Sequence, residues 1–165
     1  TAKYGYAGIT VFNAGIVDGI NQVGLSCSFN SLNCSQYQTV PAGCNSQALE
    51  LFDVGGWLLG NFSNVNDAIT GLKTVYVWGK FFPLLNKIPG LHIALHDRMG
   101  NSAVIEYLEG NLSISPNPYG VMTNDPPFNW HTTNLSNYNF VSPNSAQDVI
   151  YNGVTIPALG PGTGM

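Results

Sequence analysis

Charged side chains are scarce in this 165-residue chain. They make up 8% of the residues, five Lys and Arg against nine Asp and Glu, and the net charge is −4. Globular proteins usually carry about 25% charged residues. A nucleic-acid partner requires clustered basic side chains that neutralise phosphates, and the sequence contains no such cluster. We therefore predict no nucleic-acid partner, and a polar surface built from Asn, Ser, Thr, Gln and Gly.

Long hydrophobic runs are also missing, although 44% of the residues are hydrophobic. No run approaches the roughly 18 apolar residues that a membrane-spanning helix needs. The first ten residues alternate in polarity, unlike the continuous apolar block of a signal peptide. We predict no membrane span, and the sequence leaves the cellular location open between cytoplasm and export.

Cysteine is rare, and histidine gives no metal-binding pattern. The three cysteines are Cys27, Cys34 and Cys44, an odd number that allows at most one internal disulfide and otherwise buried thiols. Their spacing does not match the short Cys pairs of zinc sites. His92 and His96 are expected on one strand, where residues four apart are roughly 13 Å from each other and too distant to share an ion. We therefore predict no metal site and no cofactor.

Alternating polarity predicts strands at the start of the chain, and a helical period follows. The predicted strands are Tyr4–Phe12, Ile16–Ile20 and Gly24–Phe29. A polar loop is expected from Asn30 to Cys44. Two helices are predicted next, one with Asn45 as its N-cap and one capped by Ser63. Gly55–Gly56 suits a helix only where another helix packs closely.

The second half of the chain predicts a return to strands. They are expected at Leu91–His96, at Ala103–Leu108, after Asn111 and at Tyr119–Thr123. An apolar loop is predicted for Trp78–Pro89, a helix for Phe128–Tyr138, and a Gly/Pro-rich loop for Val154–Met165. Runs of strands separated by a helical pair predict one α+β domain over residues 1–165, with an antiparallel sheet covered by helices on one face.

One asparagine has an unusual setting. Asn124 follows the last predicted strand and precedes Asp125-Pro126-Pro127. A side-chain amide held at a strand end is a hydrogen-bond donor. It donates either to a substrate or to its own loop, as an Asx-type brace.

No residue is a convincing nucleophile on this basis. Thr1 and Cys27 are weak candidates, and His131 is a weak candidate for a base. The Asp97–Arg98 pair is expected to be solvated at a turn. The glycine-rich Gly160–Gly164 lacks the Lys-Ser/Thr ending of a phosphate-binding loop.

Four segments nevertheless resemble the choloylglycine hydrolase family, which contains conjugated bile salt hydrolases and penicillin V acylases. "VDGINQVGLSCSFNSL" is similar to its Asp-Gly-Met-Asn-Glu-Lys-Gly-Leu segment, and "GVMTNDPPFNWHTTNLSNY" to its Thr-Asn-Ser-Pro block. "HIALHDRMGNSAVIEYLEGNLSISPNP" is similar to the preceding hairpin, and "ALGPGTGM" to the following Gly-x-Gly-Thr-Gly stretch. The segments occur in the family's order and span nearly the whole chain.

The resemblance implies an N-terminal nucleophile (Ntn) hydrolase fold, an αββα sandwich of antiparallel sheets between helix layers. It implies hydrolysis of linear amide C–N bonds by a cysteine that is residue one of the mature protein and is activated by its own α-amine. Asn124 matches the family's oxyanion-hole asparagine. Ser31 stands where the family carries Asn or Tyr and is the second candidate catalytic residue.

The resemblance also implies a substrate and an arrangement of the parent protein. Trp78, Phe81 and Phe82 fall in the loop that lines an apolar acyl pocket in relatives, so the expected partner is a small-molecule amide with an apolar acyl group. The nucleophilic cysteine is expected upstream of Thr1 and a late active-site arginine downstream of Met165. The chain is thus expected to be an incomplete, central part of an Ntn hydrolase, inactive alone, from a parent that forms homo-oligomers.

Two other classes of function stay open. The first is a catalytically inactive relative or fragment that acts as a binding or interaction module. The second is a secreted carbohydrate-binding domain, which the abundance of Asn, Gly and Tyr would suit.

Overall fold

Six strands form one antiparallel sheet in the computed structural model, which describes residues 2–11, 13–141 and 147–158. The chain divides into two units, Thr1–Phe128 and Asn129–Met165, and the sheet belongs to the first. Its strands lie in the order β1-β2-β3-β6-β7-β8. They are β1 (Tyr6–Val11), β2 (Gly15–Asn21), β3 (Ser26–Ser31), β6 (Leu91–His96), β7 (Ser102–Leu108) and β8 (Asn111–Pro116).

Shorter elements complete the first unit. Two helices, α1 (Val54–Asn61) and α2 (Val65–Leu72), follow each other directly, and β4 (Ala48–Glu50) pairs in parallel with β5 (Tyr76–Trp78). The second unit contains most of α3 (Phe128–Leu135) and an antiparallel pair, β9 (Val149–Tyr151) with β10 (Val154–Ile156). None of the helices in the described ranges has the length and apolar character needed to cross a membrane.

The two faces of the sheet differ in chemistry because side chains alternate along each strand. One face is apolar and packs against α1 and α2. Its buried residues are Cys27, Ile93, Leu95, Ala103, Ile105 and Tyr107. The other face presents smaller and polar side chains, yet His92, Ala94, Val104 and Glu106 on it are also buried. Burial on both faces explains the mostly apolar composition of β6 and β7.

Helix α1 lies against the backbone of β2, and glycine permits this close approach. A Cβ atom on Gly55 would overlap the carbonyl oxygen of Ile16. The closely packed neighbour is therefore a strand, where a helix was expected. The buried side chain of Asn21 secures the same contact: its Nδ2 donates to Leu59 O and Phe62 O at 2.9 and 2.7 Å. Asn21 thereby satisfies carbonyls that the end of α1 leaves unpaired.

Several predicted elements differ from the structure. The first helix does not begin at Asn45, because residues 48–50 pair with β5 as a strand and the helix starts only at Val54. Asn64, and not Ser63, caps α2, since its side chain accepts from Asp67 N. The terminal segment contains β10 in place of a continuous loop. The predicted helix Phe128–Tyr138 is present as α3 followed by a short 3₁₀ turn.

The predicted strand Tyr119–Thr123 is absent, because its backbone groups bond individually outside any ladder. Gly120 N donates to Asn117 O, and Val121 O accepts from the Asn117 side chain. Thr123 O accepts from His92. Asn124 is therefore held in a loop and not at a strand end. Two further expectations, on Thr1 and on Gly160–Gly164, concern residues outside those that the structure describes.

Candidate active site

Ser31 and Asn124 lie side by side although 93 positions separate them in the sequence. The backbone N–H of Ser31, the last residue of β3, donates to Asn124 Oδ1 at 2.8 Å. The Ser31 carbonyl accepts from Asp125 N at 2.7 Å. A backbone N–H only donates, so the amide atom that faces Ser31 must be the oxygen. The Nδ2 group of Asn124, with its two hydrogens, is therefore directed away from Ser31.

The contribution of Ser31 to this contact comes from its main chain. Both bonds, N–H to Asn124 and carbonyl from Asp125, involve backbone atoms of Ser31. The contact therefore does not depend on which side chain occupies position 31. A serine therefore suffices at position 31, because its side chain takes no part in either bond.

Asp125 fixes the next turn of the loop. Its Oδ1 accepts from Asn33 N at 2.8 Å, and its Oδ2 from Asn33 Nδ2 at 2.7 Å. Lys87 Nζ donates to Asn33 Oδ1 at 3.2 Å. The Asp125–Pro126 peptide bond is cis. Through Asn33, the residue that follows Asn124 is connected to the segment after β5.

The predicted aromatic residues lie at the end of β5 and in the segment after it. Trp78 is the last residue of β5 and is half-buried. Phe82 packs on Phe52, with ring centroids 5.6 Å apart, and its backbone bonds to Lys87. Phe81 is 53% exposed. Bulky apolar side chains therefore stay accessible on the segment that Lys87 connects to Asn33.

Two buried side chains on the polar face of the sheet also reach the Asn124 loop. His92 Nδ1 lies 3.1 Å from Glu106 Oε1, and His92 Nε2 lies 2.8 Å from Thr123 O. Glu106 Oε1 also accepts from Phe128 N at 2.9 Å. Sequence reasoning treated His92 only as a possible metal ligand and missed Glu106. The signal was available, since both lie at apolar-flanked positions of a predicted hairpin.

Two thiols of the described residues, those of Cys27 and Cys34, are poorly suited to attack a carbonyl. All three cysteines are free. Burial, and then the charge of Asp18, raises the pKa of Cys27 to about 12. Loss of hydration around its sulfur and the charges of Asp125 and Glu106 raise the pKa of Cys34, against one backbone hydrogen bond. A thiolate is the reactive form, so burial and a raised pKa make Cys27 poorly suited to act as the nucleophile.

Asp97 has a structural role that the sequence did not predict. The predicted solvated pair with Arg98 is wrong, because Asp97 is buried and accepts from Val65 N, Met99 N and Asn101. Its loss of hydration raises the pKa, but these hydrogen bonds outweigh it and hold the pKa below the usual value. Across the described ranges, no three His, Cys, Asp or Glu residues lie close enough to hold a metal ion.

Comparison with known proteins identifies the family of the chain. The sequence profile of the linear amide C–N hydrolases, choloylglycine hydrolase family, matches residues 1–165. The chain is 31% identical to a bile salt hydrolase/transferase from Clostridium perfringens over 175 residues, covering 100% of this chain and 51% of that protein. It is 30% identical to a penicillin V acylase from Pectobacterium atrosepticum over 145 residues, covering 81% and 38% respectively.

A solved structure gives the same result for the fold. A variant of the conjugated bile acid hydrolase from Clostridium perfringens superposes with a TM-score of 0.85 at 28% identity, covering 100% of this chain and 51% of that one. The expected α+β, Ntn-hydrolase fold class is thereby confirmed. The chain spans about half the length of these Clostridium relatives. It belongs to the choloylglycine hydrolase family of linear amide C–N hydrolases.

Proposed function

We propose that residues 1–165 supply the oxyanion-stabilising side of the active site in an amidase that cleaves linear C–N bonds. The observation that carries the proposal is the 2.8 Å bond from Ser31 N to Asn124 Oδ1. It fixes the plane of the amide and directs the Asn124 N–H hydrogens away from β3. A preorganised donor aimed at a developing oxyanion is worth about 3 kcal/mol in the transition state.

The bond from Ser31 also changes the electronic character of the amide. An N–H that donates to the amide oxygen polarises the whole group, so its nitrogen becomes a stronger donor. The Ser31 N–H thereby increases the partial positive charge on the Nδ2 hydrogens of Asn124. A loop residue without this backbone contact would have to become ordered during the reaction, at a cost in conformational entropy.

In the proposed reaction, the nucleophile is a cysteine that precedes Thr1 and begins the mature parent protein. Its α-amine takes the thiol proton, and the thiolate forms a bond to the amide carbon while the carbonyl oxygen becomes an oxyanion. Asn124 donates to that oxyanion. The C–N bond breaks as the amine leaves with the proton, and water hydrolyses the thioester to release the acid.

The proposed substrate joins an apolar acyl group to a small amine. The segment that carries Trp78, Phe81 and Phe82 has four exposed apolar side chains, Phe81, Leu84, Leu85 and Ile88. Apolar residues of this kind line pockets for apolar ligands. Conjugated bile salts and penicillin V both meet this description and are the substrates to try first.

Two further expectations belong to the same proposal. The charge balance of nine acidic against five basic residues favours a parent without a nucleic-acid partner. We expect the parent to form homo-oligomers, and residues 1–165 on their own should also associate, because in this part β1 is an edge of the six-stranded sheet and its Ile9 is 67% exposed. Unpaired strand edges with exposed apolar residues promote association.

The test uses the full-length protein that contains these residues. Release of the amine from a conjugated bile salt and from penicillin V is measured for the natural protein, Asn124→Ala and Asn66→Ala. Asn66 is an exposed asparagine of α2 and serves as the matched control. We expect Asn124→Ala to lower kcat about 10²-fold or more and Asn66→Ala to leave it unchanged.

Other outcomes identify the alternatives. Full activity in Asn124→Ala would remove this residue from the mechanism. A full-length protein that hydrolyses neither substrate but binds apolar acids equally well with and without Asn124 would be a binding module. Quenching of aromatic fluorescence by sugars, without any response to apolar acids, would indicate a carbohydrate-binding domain.

A further inference from the structure

Two titratable side chains are buried in the centre of the sheet, where apolar side chains would cost less free energy to bury. His92 on β6 and Glu106 on β7 are 0% and 3% exposed. They occupy neighbouring strands, one position beyond the Ile93–Ile105 pair. Burying such groups costs free energy unless hydrogen bonds satisfy them. Their partners therefore indicate the purpose of the pair.

Besides contacting each other, both side chains form a hydrogen bond to the backbone of the same loop. His92 Nε2 bonds to the carbonyl oxygen of Thr123 at 2.8 Å, and Glu106 Oε1 to Phe128 N at 2.9 Å. Thr123 immediately precedes Asn124, and Phe128 follows Pro127. The short segment that presents Asn124 is thus fixed at both ends to two adjacent buried strands. Ser31 provides the third fixed point, through the side-chain oxygen of Asn124.

The protons of this arrangement follow from its partners. A carbonyl oxygen only accepts, so His92 Nε2 must carry a hydrogen toward Thr123. The Phe128 N–H only donates, so Glu106 Oε1 accepts from it. The contact between His92 Nδ1 and Glu106 Oε1 then needs one proton, which either side chain can carry. In both cases every bond of the pair is satisfied.

We propose that His92 and Glu106 are positioning residues that aim the Asn124 amide at the reacting carbonyl by fixing Thr123 and Phe128. This inference rests on the proposed role of Asn124 as the oxyanion donor. The two residues act through the loop and touch neither substrate nor nucleophile. A small displacement of a catalytic donor can cost up to about 10²-fold in rate, so a pair that only fixes the loop beside the donor can still control the rate.

The variant Glu106→Gln tests the proposal with little change in volume. A glutamine oxygen facing both partners requires His92 to be protonated on both nitrogens without a carboxylate beside it. A glutamine NH₂ facing both opposes the Phe128 N–H. In either orientation of the glutamine amide, its bond to His92 or its bond to Phe128 N is therefore weakened. Asp97→Asn is the matched control, because Asp97 is another buried, multiply bonded carboxylate and organises the turn after β6 and the start of α2.

In the full-length protein, we expect Glu106→Gln to lower kcat by about tenfold to a hundredfold with KM changed less than about threefold. Asp97→Asn should lower the melting temperature by a similar amount without this loss of kcat. Adding Asn124→Ala to Glu106→Gln should lower kcat no further than Asn124→Ala does alone. Full multiplication of the two losses, or a kcat that follows melting temperature in all variants, would overturn the proposal.

A second readout does not need activity and separates this proposal from the proposed function. Hydrogen exchange of the Ser31 backbone amide reports its bond to Asn124 Oδ1. We expect faster exchange at Ser31 in Glu106→Gln and in His92→Ala. His92→Gln should keep partial protection, because its amide can replace the donor to Thr123. Asp97→Asn should leave the exchange unchanged. Unchanged exchange in both Glu106→Gln and His92→Ala would overturn the positioning role even if the full-length protein proves to be an amidase. If exchange changes in these variants but the full-length protein is inactive, the pair does orient Asn124. Its proposed role in catalysis would then be overturned.

Discussion

The backbone nitrogen of Ser31 lies 2.8 Å from the side-chain oxygen of Asn124, and the backbone oxygen of Ser31 lies 2.7 Å from the nitrogen of Asp125. One residue at the end of β3 thus holds both the side chain and the following backbone of the loop. Position 31 therefore requires a residue with a backbone N–H. It should tolerate a change of side chain.

Position 31 should therefore tolerate side-chain loss and reject proline. Ser31→Ala keeps both backbone bonds, and we expect kcat/KM for the amide substrate within about threefold of the natural value. Ser31→Pro removes the N–H that orients Asn124, and we expect a loss on the order of 10²-fold. Steady-state kinetics of both variants, with melting temperatures to confirm folding, check this. A severe loss in Ser31→Ala would show that the hydroxyl itself takes part.

Lys87 should influence substrate affinity more than turnover. Its ammonium group donates to Asn33 Oδ1 at 3.2 Å and so connects the apolar segment to the loop of Asn124. The bond is exposed, and such contacts are worth at most about 1 kcal/mol. We expect Lys87→Ala to raise KM about two- to fivefold with kcat unchanged. Lys73→Ala, which removes an exposed lysine at the end of α2, is the control and should change neither constant.

Asp97 should make stability depend on pH in the acidic range. Hydrogen bonds hold its folded pKa below the usual value, whereas its pKa in the unfolded chain is about 3.9. Its contribution is therefore complete above about pH 4 and is lost as the pH falls through the folded pKa. We expect Asp97→Asn to lower the free energy of unfolding by about 1–3 kcal/mol at pH 7 and by less at pH 3.

Urea unfolding at the two pH values measures this difference. The exposed Asp53, changed to Asn, is the control for a general change in charge. A difference between Asp97→Asn and the natural chain that stays constant from pH 7 to pH 3 would contradict the role assigned to the ionised carboxylate.

Local pattern was sufficient for the central strands of the sheet. β6 and β7 are mostly apolar runs buried on both faces, and a short turn joins them, so the apolar runs and the turn residues identify them. The same reasoning failed at residues 48–50. That segment reads as helical in isolation but pairs with β5, a tertiary contact that no local propensity includes.

The candidate site was predictable only in part. The Thr-Asn-Asp-Pro sequence and its family resemblance pointed to Asn124, but the sequence placed it at a strand end, whereas the structure holds it in a loop. The supporting residues His92, Glu106 and Asn33 come from three separate segments. Their roles depend on strand register and on backbone partners, which a single sequence does not reveal.

The central claim is that Asn124 acts as a donor to the reacting oxygen, and Asn124→Asp tests it most directly. A carboxylate at this position still accepts from Ser31 N–H but has no hydrogens to donate. We predict that Asn124→Asp loses kcat in the full-length protein as severely as Asn124→Ala, about 10²-fold or more, while the Ser31 amide stays protected from exchange. Natural turnover in Asn124→Asp would contradict the account, because the asparagine would then only brace its own loop.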